Sequence, residues 1–140
     1  MKISTKSRYA LRFMIDLAER WGEGPQSMRE IADRQGVSKK YLEQIVAPLA
    51  SNGLIVVSRG HAGGYELSRA PELITMADVM KVTEDGLGLL ACIDDPSVCD
   101  RFSNCRSVQA WSGLQNVMIE YLSSRTLKDL GQFGGVEGER

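Results

Sequence analysis

All three cysteines of the 140-residue chain fall in one short segment: Cys92, Cys99 and Cys105, spaced C-x6-C-x5-C. Thiols gathered this way point to metal binding or redox chemistry in a reducing compartment, where disulfides rarely persist. Structural zinc favours C-x2–4-C pairs and four ligands, and this spacing supplies neither. An iron–sulfur cluster is a larger object that cysteine thiolates hold, and the Gly, Asp and Ser around these thiols make a loop able to wrap one. The alternative from spacing alone is three free thiols on an acidic loop, acting as redox sensors or spectators. Hydrolytic chemistry fits poorly. The single histidine, His61, lies on an expected exposed turn far along the chain from the loop, where it cannot serve a nucleophilic cysteine or a Ser-His-Asp arrangement.

A second group of residues suits a polyanion. Ser38, Lys39, Lys40, Tyr41, Glu43 and Gln44 stand at the start of an expected helix, and Arg59 and His61 sit on a glycine-rich turn. Gln pairs bidentately with adenine and Glu accepts from cytosine, while lysines suit phosphates and add affinity without sequence information. An Arg on a turn reaches a narrow minor groove, and glycines beside it let the backbone approach closely.

The elements that must position these residues follow from periodicity and punctuation. From Thr5 to about Trp21, apolar residues at Tyr9, Phe13, Met14, Leu17, Ala18 and Trp21 mark one helical face, ended by Gly22, Gly24 and Pro25. Ser27-Met28-Arg29-Glu30 is a capping-box pattern that opens a short second helix. Gly36 supplies a turn, and Ser38 caps a third helix carrying Tyr41, Leu42, Ile45, Val46 and Leu49 to Asn52-Gly53. Leu54–Ser58 and Tyr65–Leu67 read as the two strands of a hairpin. This order is that of a winged helix-turn-helix, whose second motif helix enters the major groove near its N-terminus.

A further helix is expected from Met76 to Lys81 or a little beyond, capped by Thr75. Residues 86–105 then lack a helical period. From about Ser107 a longer helix carries Trp111, Leu114, Val117, Met118, Tyr121 and Leu122 on one stripe, which reads as a subunit-joining surface because such DNA readers act as dimers. The expected fold is therefore mostly α with a two-stranded β wing: a winged helix-turn-helix plus a long C-terminal dimerisation helix. Its parts are a DNA-binding region at 1–82, a cysteine-rich cluster-binding loop at 83–106, a dimerisation helix and C-terminal turn at 107–130, and a flexible tail at 131–140.

Composition bounds the rest. With 43% apolar and 25% charged residues the chain is of ordinary globular make-up. No apolar run approaches the roughly 20 residues of a membrane helix, and the first residues lack a secretory pattern, so the expected location is the cytoplasm. Net charge is −1, yet residues 1–70 carry 11 Lys/Arg against 7 Asp/Glu, and residues 71–140 carry 6 against 11. A basic half joined to an acidic half suits a protein whose first half alone meets nucleic acid.

Four stretches taken together carry a family resemblance. They are Met1-Lys2-Ile3-Ser4-Thr5-Lys6-Ser7-Arg8-Tyr9-Ala10, Ser38–Gln44 with its Tyr41-Leu42-Glu43-Gln44, Arg59-Gly60-x-x-Gly63-Gly64-Tyr65, and the three-cysteine loop followed by Trp111. Over about residues 1–130 the chain resembles the Rrf-type winged-helix repressors, whose members include iron–sulfur-assembly, nitric-oxide-sensing and cysteine-metabolism regulators. The resemblance implies a homodimer with crossing C-terminal helices, joined through Trp111, Leu114, Met118 and Tyr121, that binds a pseudo-palindromic operator. It implies a [2Fe–2S] or [4Fe–4S] cluster on Cys92, Cys99 and Cys105, base reading by Glu43, Gln44 and their neighbours, and a minor-groove contact by Arg59.

The chain departs from that pattern in two ways. The first cysteine gap is one residue longer than in the assembly-type regulator, whose fourth-ligand histidine position is Val108 here. The nitric-oxide-sensing type takes an Asp from the partner subunit at the position of Arg8. A fourth ligand would come from elsewhere, with Glu84, Asp94, Asp95 and Asp100 as nearby carboxylates, or the iron site would be open. The functional expectation is a DNA-binding repressor, not an enzyme, controlled by a cluster that senses iron, redox state or nitric oxide. The alternatives are a cluster-free winged-helix regulator controlled by thiol oxidation or a partner protein, and an iron–sulfur carrier. A carrier has no use for Lys39, Lys40 and Arg59.

Overall fold

The computed structural model describes residues 2–132. Seven α-helices surround one antiparallel hairpin in that span: α1 Thr5–Glu19, α2 Met28–Gln35, α3 Lys39–Ser51, β1 Ile55–Ser58, β2 Gly64–Leu67, α4 Met76–Thr83, α5 Ala91–Asp94, α6 Val108–Ser124 and α7 Leu127–Gln132. The tail expected at 131–140 lies outside the described residues from 133 onward, and Gly131 and Gln132 complete α7. No described helix is long and apolar enough to cross a membrane.

The core is built by α1, α2, α3, the hairpin and α7. Ala10, Phe13, Met14 and Leu17 of α1 meet Ile31 of α2, Leu42, Ile45 and Leu49 of α3, and Leu127 of α7, all buried. Each large apolar side chain removed from water in this way contributes roughly 1.5–3 kcal/mol. The strands pair Ile55 with Leu67 and Ser58 with Gly64, so Ile55 and Leu67 face the core while Val56 and Val57 stay half in solvent.

Caps set the helix starts. The Ser4, Ser27 and Ser38 hydroxyls accept from the N–H groups of Ser7, Glu30 and Tyr41. At Thr75 the box is reciprocal, since Thr75 Oγ1 accepts from Asp78 N and Asp78 Oδ2 accepts from Thr75 N. At Ser27 only the serine half of the expected box is recorded.

The structure corrects the sequence reading in four places. Helix α1 stops at Glu19, because the chain turns back through Arg20 and Trp21, whose N–H groups reach Leu17 and Ala18; Trp21 is 48% exposed rather than part of the apolar face. Gln26 pairs with Tyr65 in an isolated antiparallel bridge, N–O distances 3.0 and 2.9 Å, so the α1–α2 connection lies along the wing. The loop at 86–105 is not featureless, holding α5 and single 3-10 turns at Pro96–Val98 and Phe102–Asn104. The C-terminal turn contains α7, opened by a reciprocal Thr126–Asp129 cap and held beside α4 by Met76 N donating to Arg125 O and Leu127 N to Ile74 O.

Candidate nucleic-acid interface and cysteine loop

Gly36 closes α2 in the left-handed region, φ +63°, which a residue with a Cβ adopts only at a cost, and this turn aims α3 away from α2. On α3 the buried stripe is Leu42, Ile45, Val46 and Leu49, which leaves Lys39, Lys40, Glu43 and Gln44 exposed. Ser38 is exposed too, with its hydroxyl oxygen engaged by the cap. Tyr41 differs from its neighbours. Its ring is half-buried and packs edge-on against Tyr9 at 5.5 Å, so it braces α3 on α1 more than it reaches outward.

The wing tip presents Arg59 and His61 to solvent, with Gly60 at φ +102° making the turn. Gly64 serves the wing differently: a Cβ there would overlap the backbone of Gln26, so the bridge to Gln26 requires glycine. Tyr65 then stacks edge-on against Phe13 at 6.1 Å, tying the wing to α1.

Beneath this surface lies a charged network that the apolar pattern hid. The Asp16 side chain is 1% exposed and accepts from Arg34 Nη2 at 2.7 Å, Arg34 Nε at 3.1 Å and Gln35 Nε2 at 2.8 Å. The carboxylate raises the Arg34 pKa above its ordinary value through these hydrogen bonds. The network locks α2 to α1. Its signal in the sequence is an acid in phase with the buried stripe, three residues after Phe13.

Cys92 sits in α5, Cys99 follows the first 3-10 turn and Cys105 the second; all are half-buried free thiols. Cys105 Sγ lies 3.3 Å from Ser107 Oγ. The Ser107 hydroxyl and the N–H groups of Ser107 and Val108, at the start of α6, hold the Cys105 thiol below its ordinary pKa. Three soft sulfur donors on one loop are the donor set of iron–sulfur chemistry. Among the described residues, however, no three of His, Cys, Asp and Glu come close enough to hold one metal ion. Three of the four carboxylates considered as a fourth ligand already have partners. Glu84 Oε1 accepts from Ser4 N at 2.8 Å, Asp95 Oδ1 from Ser97 N and Oγ, and Asp94 Oδ1 from Gln115 Nε2 at 3.4 Å.

The stripe on α6 splits into two faces. Leu122 is buried against Ala77 and Met80 of α4, and Met118 is half-buried. Leu114, Val117 and Tyr121 stand 38%, 64% and 52% exposed on the neighbouring flank, and Trp111, in phase with Leu122 but three turns earlier, is 46% exposed. Sequence reasoning missed Gln115, which is buried at 7% exposure and binds the cysteine loop; its signal was a polar residue in phase with Leu122.

Comparison with known proteins settles the family. Residues 3–132 match the Rrf2 family model, described as an iron-dependent transcriptional regulator. The chain belongs to the Rrf2 family. It is 39% identical to the HTH-type transcriptional regulator CymR of Bacillus subtilis (strain 168) over 139 residues, covering 99% of this chain and 96% of that one. The solved structure of CymR, described as the global cysteine regulator of B. subtilis, matches with a TM-score of 0.80 at 38% identity, covering 95% of this chain and 98% of that one. The structure of T. potens IscR matches with a TM-score of 0.73 at 38% identity, covering 95% and 88%. This Rrf2-family chain is thus a winged-helix transcriptional regulator, as the order of helices and hairpin implied.

Proposed function

We propose that this Rrf2-family regulator is a cytoplasmic repressor that binds a pseudo-palindromic operator as a homodimer and is controlled through its cysteine loop. The observation that carries the DNA reading is two exposed polar surfaces on a winged-helix fold. Lys39, Lys40, Glu43 and Gln44 are exposed on α3, and Arg59 and His61 are exposed at the tip of a wing bridged to the body through Gln26. In a dimer two such units read half-sites about 34–36 Å apart, so a small shift between subunits weakens both contacts. The exposed face of α6, with Trp111, Leu114 and Tyr121, is the surface that joins the copies, and Met118 borders it.

Control by an iron–sulfur cluster is favoured by the three thiols in one loop and by the iron dependence in the family's description. Cys92, Cys99 and Cys105 would hold the cluster, which when bound supplies a redox- and iron-responsive group. No three His, Cys, Asp or Glu side chains among the described residues are close enough to share a single metal ion, whereas a cluster spreads its ligands over more than one iron. A second reading, control by thiol oxidation without a cluster, is favoured by the Cys105 thiol, which Ser107 beside it holds below its ordinary pKa, and by the likeness to a cysteine regulator.

An absorption spectrum of protein purified without oxygen, with iron and acid-labile sulfide counted per chain, separates the two. Visible charge-transfer bands with two or four irons, lost in a Cys92→Ala, Cys99→Ala and Cys105→Ala series, are expected for the cluster. A protein that stays colourless after reconstitution with iron and sulfide overturns it and leaves the thiol reading. Operator binding that responds neither to reconstitution with iron and sulfide nor to a thiol oxidant overturns both.

A further inference from the structure

The segment holding the cysteines is fastened to the rest of the chain at very few points. Leu87 packs on the small cluster of Ala77, Met80 and Leu122. Beyond it, the hydrogen bonds of residues 95–106 stay within the segment or reach only Ser107. Between these stretches stands one buried side chain from outside the loop, Gln115 of α6. Its Oε1 accepts from Leu89 N at 2.8 Å, and its Nε2 donates to Asp94 Oδ1 at 3.4 Å. The other oxygen of Asp94 lies against Gly88, where a Cβ would overlap the carboxylate. Gln115 therefore spans the piece of chain from Leu89 to Asp94, with Cys92 inside it.

We infer that Gln115 is the joint through which a change in the cysteine loop reaches α6. This rests on the reading that the loop's thiols carry the signal, and adds the residue that passes it on. The two arms of the amide are unequal. The short bond to the Leu89 backbone anchors the joint, because a buried amide oxygen that loses its donor is costly. The longer bond to the exposed Asp94 side chain is the arm that yields when α5 moves with Cys92. Since Gln115 lies one turn after Trp111 and one position after Leu114, a shift of its side chain moves the face of α6 assigned above to the partner subunit. Gln115 is a positioning residue: it touches no thiol, and its effect is transmitted.

The test is hydrogen exchange of the full chain in three states: reduced, oxidised with diamide, and reconstituted with ferrous iron and sulfide. In the unaltered protein, treatment changes exchange in 86–105 and also in α6, by roughly threefold or more in rate. In Gln115→Met, which keeps the volume and the helix propensity but loses both bonds, the change stays in the loop. Asp94→Ala, at an exposed position, reads the same joint where the core substitution fails to fold. Gln115→Glu faces Asp94 with a second carboxylate and loses transmission, and Gln115→Glu with Asp94→Asn restores it by exchanging donor and acceptor, a rescue that mere packing does not produce. Undiminished transmission in Gln115→Met overturns the inference, as does an unaltered protein whose loop responds while α6 does not. If the loop itself is silent to both treatments, control through the thiols fails, and the inference falls with it.

Discussion

Lys40 and Gln44 stand one turn apart on the exposed side of α3, and physical chemistry assigns them opposite duties. An ammonium attracts any phosphate and releases counterions whatever the sequence, whereas an amide that pairs with one base edge discriminates. Lys39→Ala and Lys40→Ala should each weaken binding to all duplexes alike and reduce the salt slope by about 1. Gln44→Ala should instead relax preference at one base position by roughly 1–3 kcal/mol with the slope unchanged. Fluorescence anisotropy on duplexes selected from a random pool, titrated with salt, reads both; a Gln44 variant that loses slope and keeps preference would contradict the assignment. Tyr41 falls outside this scheme, because its ring is used against Tyr9.

At the scale of elements, the proposed reading of DNA by α2 and α3 as one unit requires α2 to be held to α1, and Asp16 bridges the two helices. Asp16→Ala strips Arg34 and Gln35 of their shared acceptor. Arg34 keeps 27% of its side chain in solvent and can hydrate, which trims the penalty expected for a broken buried pair to roughly 2 kcal/mol. Urea unfolding measures this, and a loss under about 0.5 kcal/mol, the range of ordinary surface changes, would show the network to be idle. The same elements show what the sequence makes legible. Helices α1 to α4 and the hairpin were readable because their apolar residues recur at 3.6 or 2 and their ends carry Ser, Thr or Gly. Trp21 misled because it keeps the helical phase past the point where the chain turns at Arg20. The Gln26–Tyr65 bridge was invisible, since one pair of backbone bonds leaves no period; the trace it left was Gly64, read as allowing a tight turn and close approach to DNA, where the backbone it admits is that of Gln26. In the cysteine loop, α5 and the 3-10 turns rest on local bonds such as Asp95 to Ser97, which have no periodic signature. The cysteines could be named from sequence, but their separation could not, because it depends on how those turns fold.

At the scale of the whole molecule, Leu114, Val117 and Tyr121 are exposed along one flank of α6, with Trp111 exposed near its start, while Leu122 of the same helix packs on α4. An apolar face of this kind marks an interaction surface. Leu114→Glu with Val117→Glu should give a folded monomer by sedimentation velocity, with operator affinity reduced by about 10²–10⁴ because the second half-site no longer binds from a linked partner. A double variant that remains dimeric would move the interface elsewhere. The bridge between Gln26 and Tyr65 has a consequence of another kind. With the wing tied to the α1–α2 connection, and Tyr65 seated on Phe13, it is fastened to the same helix, α1, against which Tyr41 braces α3. For a duplex read by both, the protein measures length as well as letters. One base pair inserted between the two contacts rotates the later one by about 34–36° around the helix axis, at about 10–10.5 base pairs per turn. An unaltered set of contacted bases at the wrong pitch is then a poor site. The grammar of such an operator includes the silent base pairs between the words.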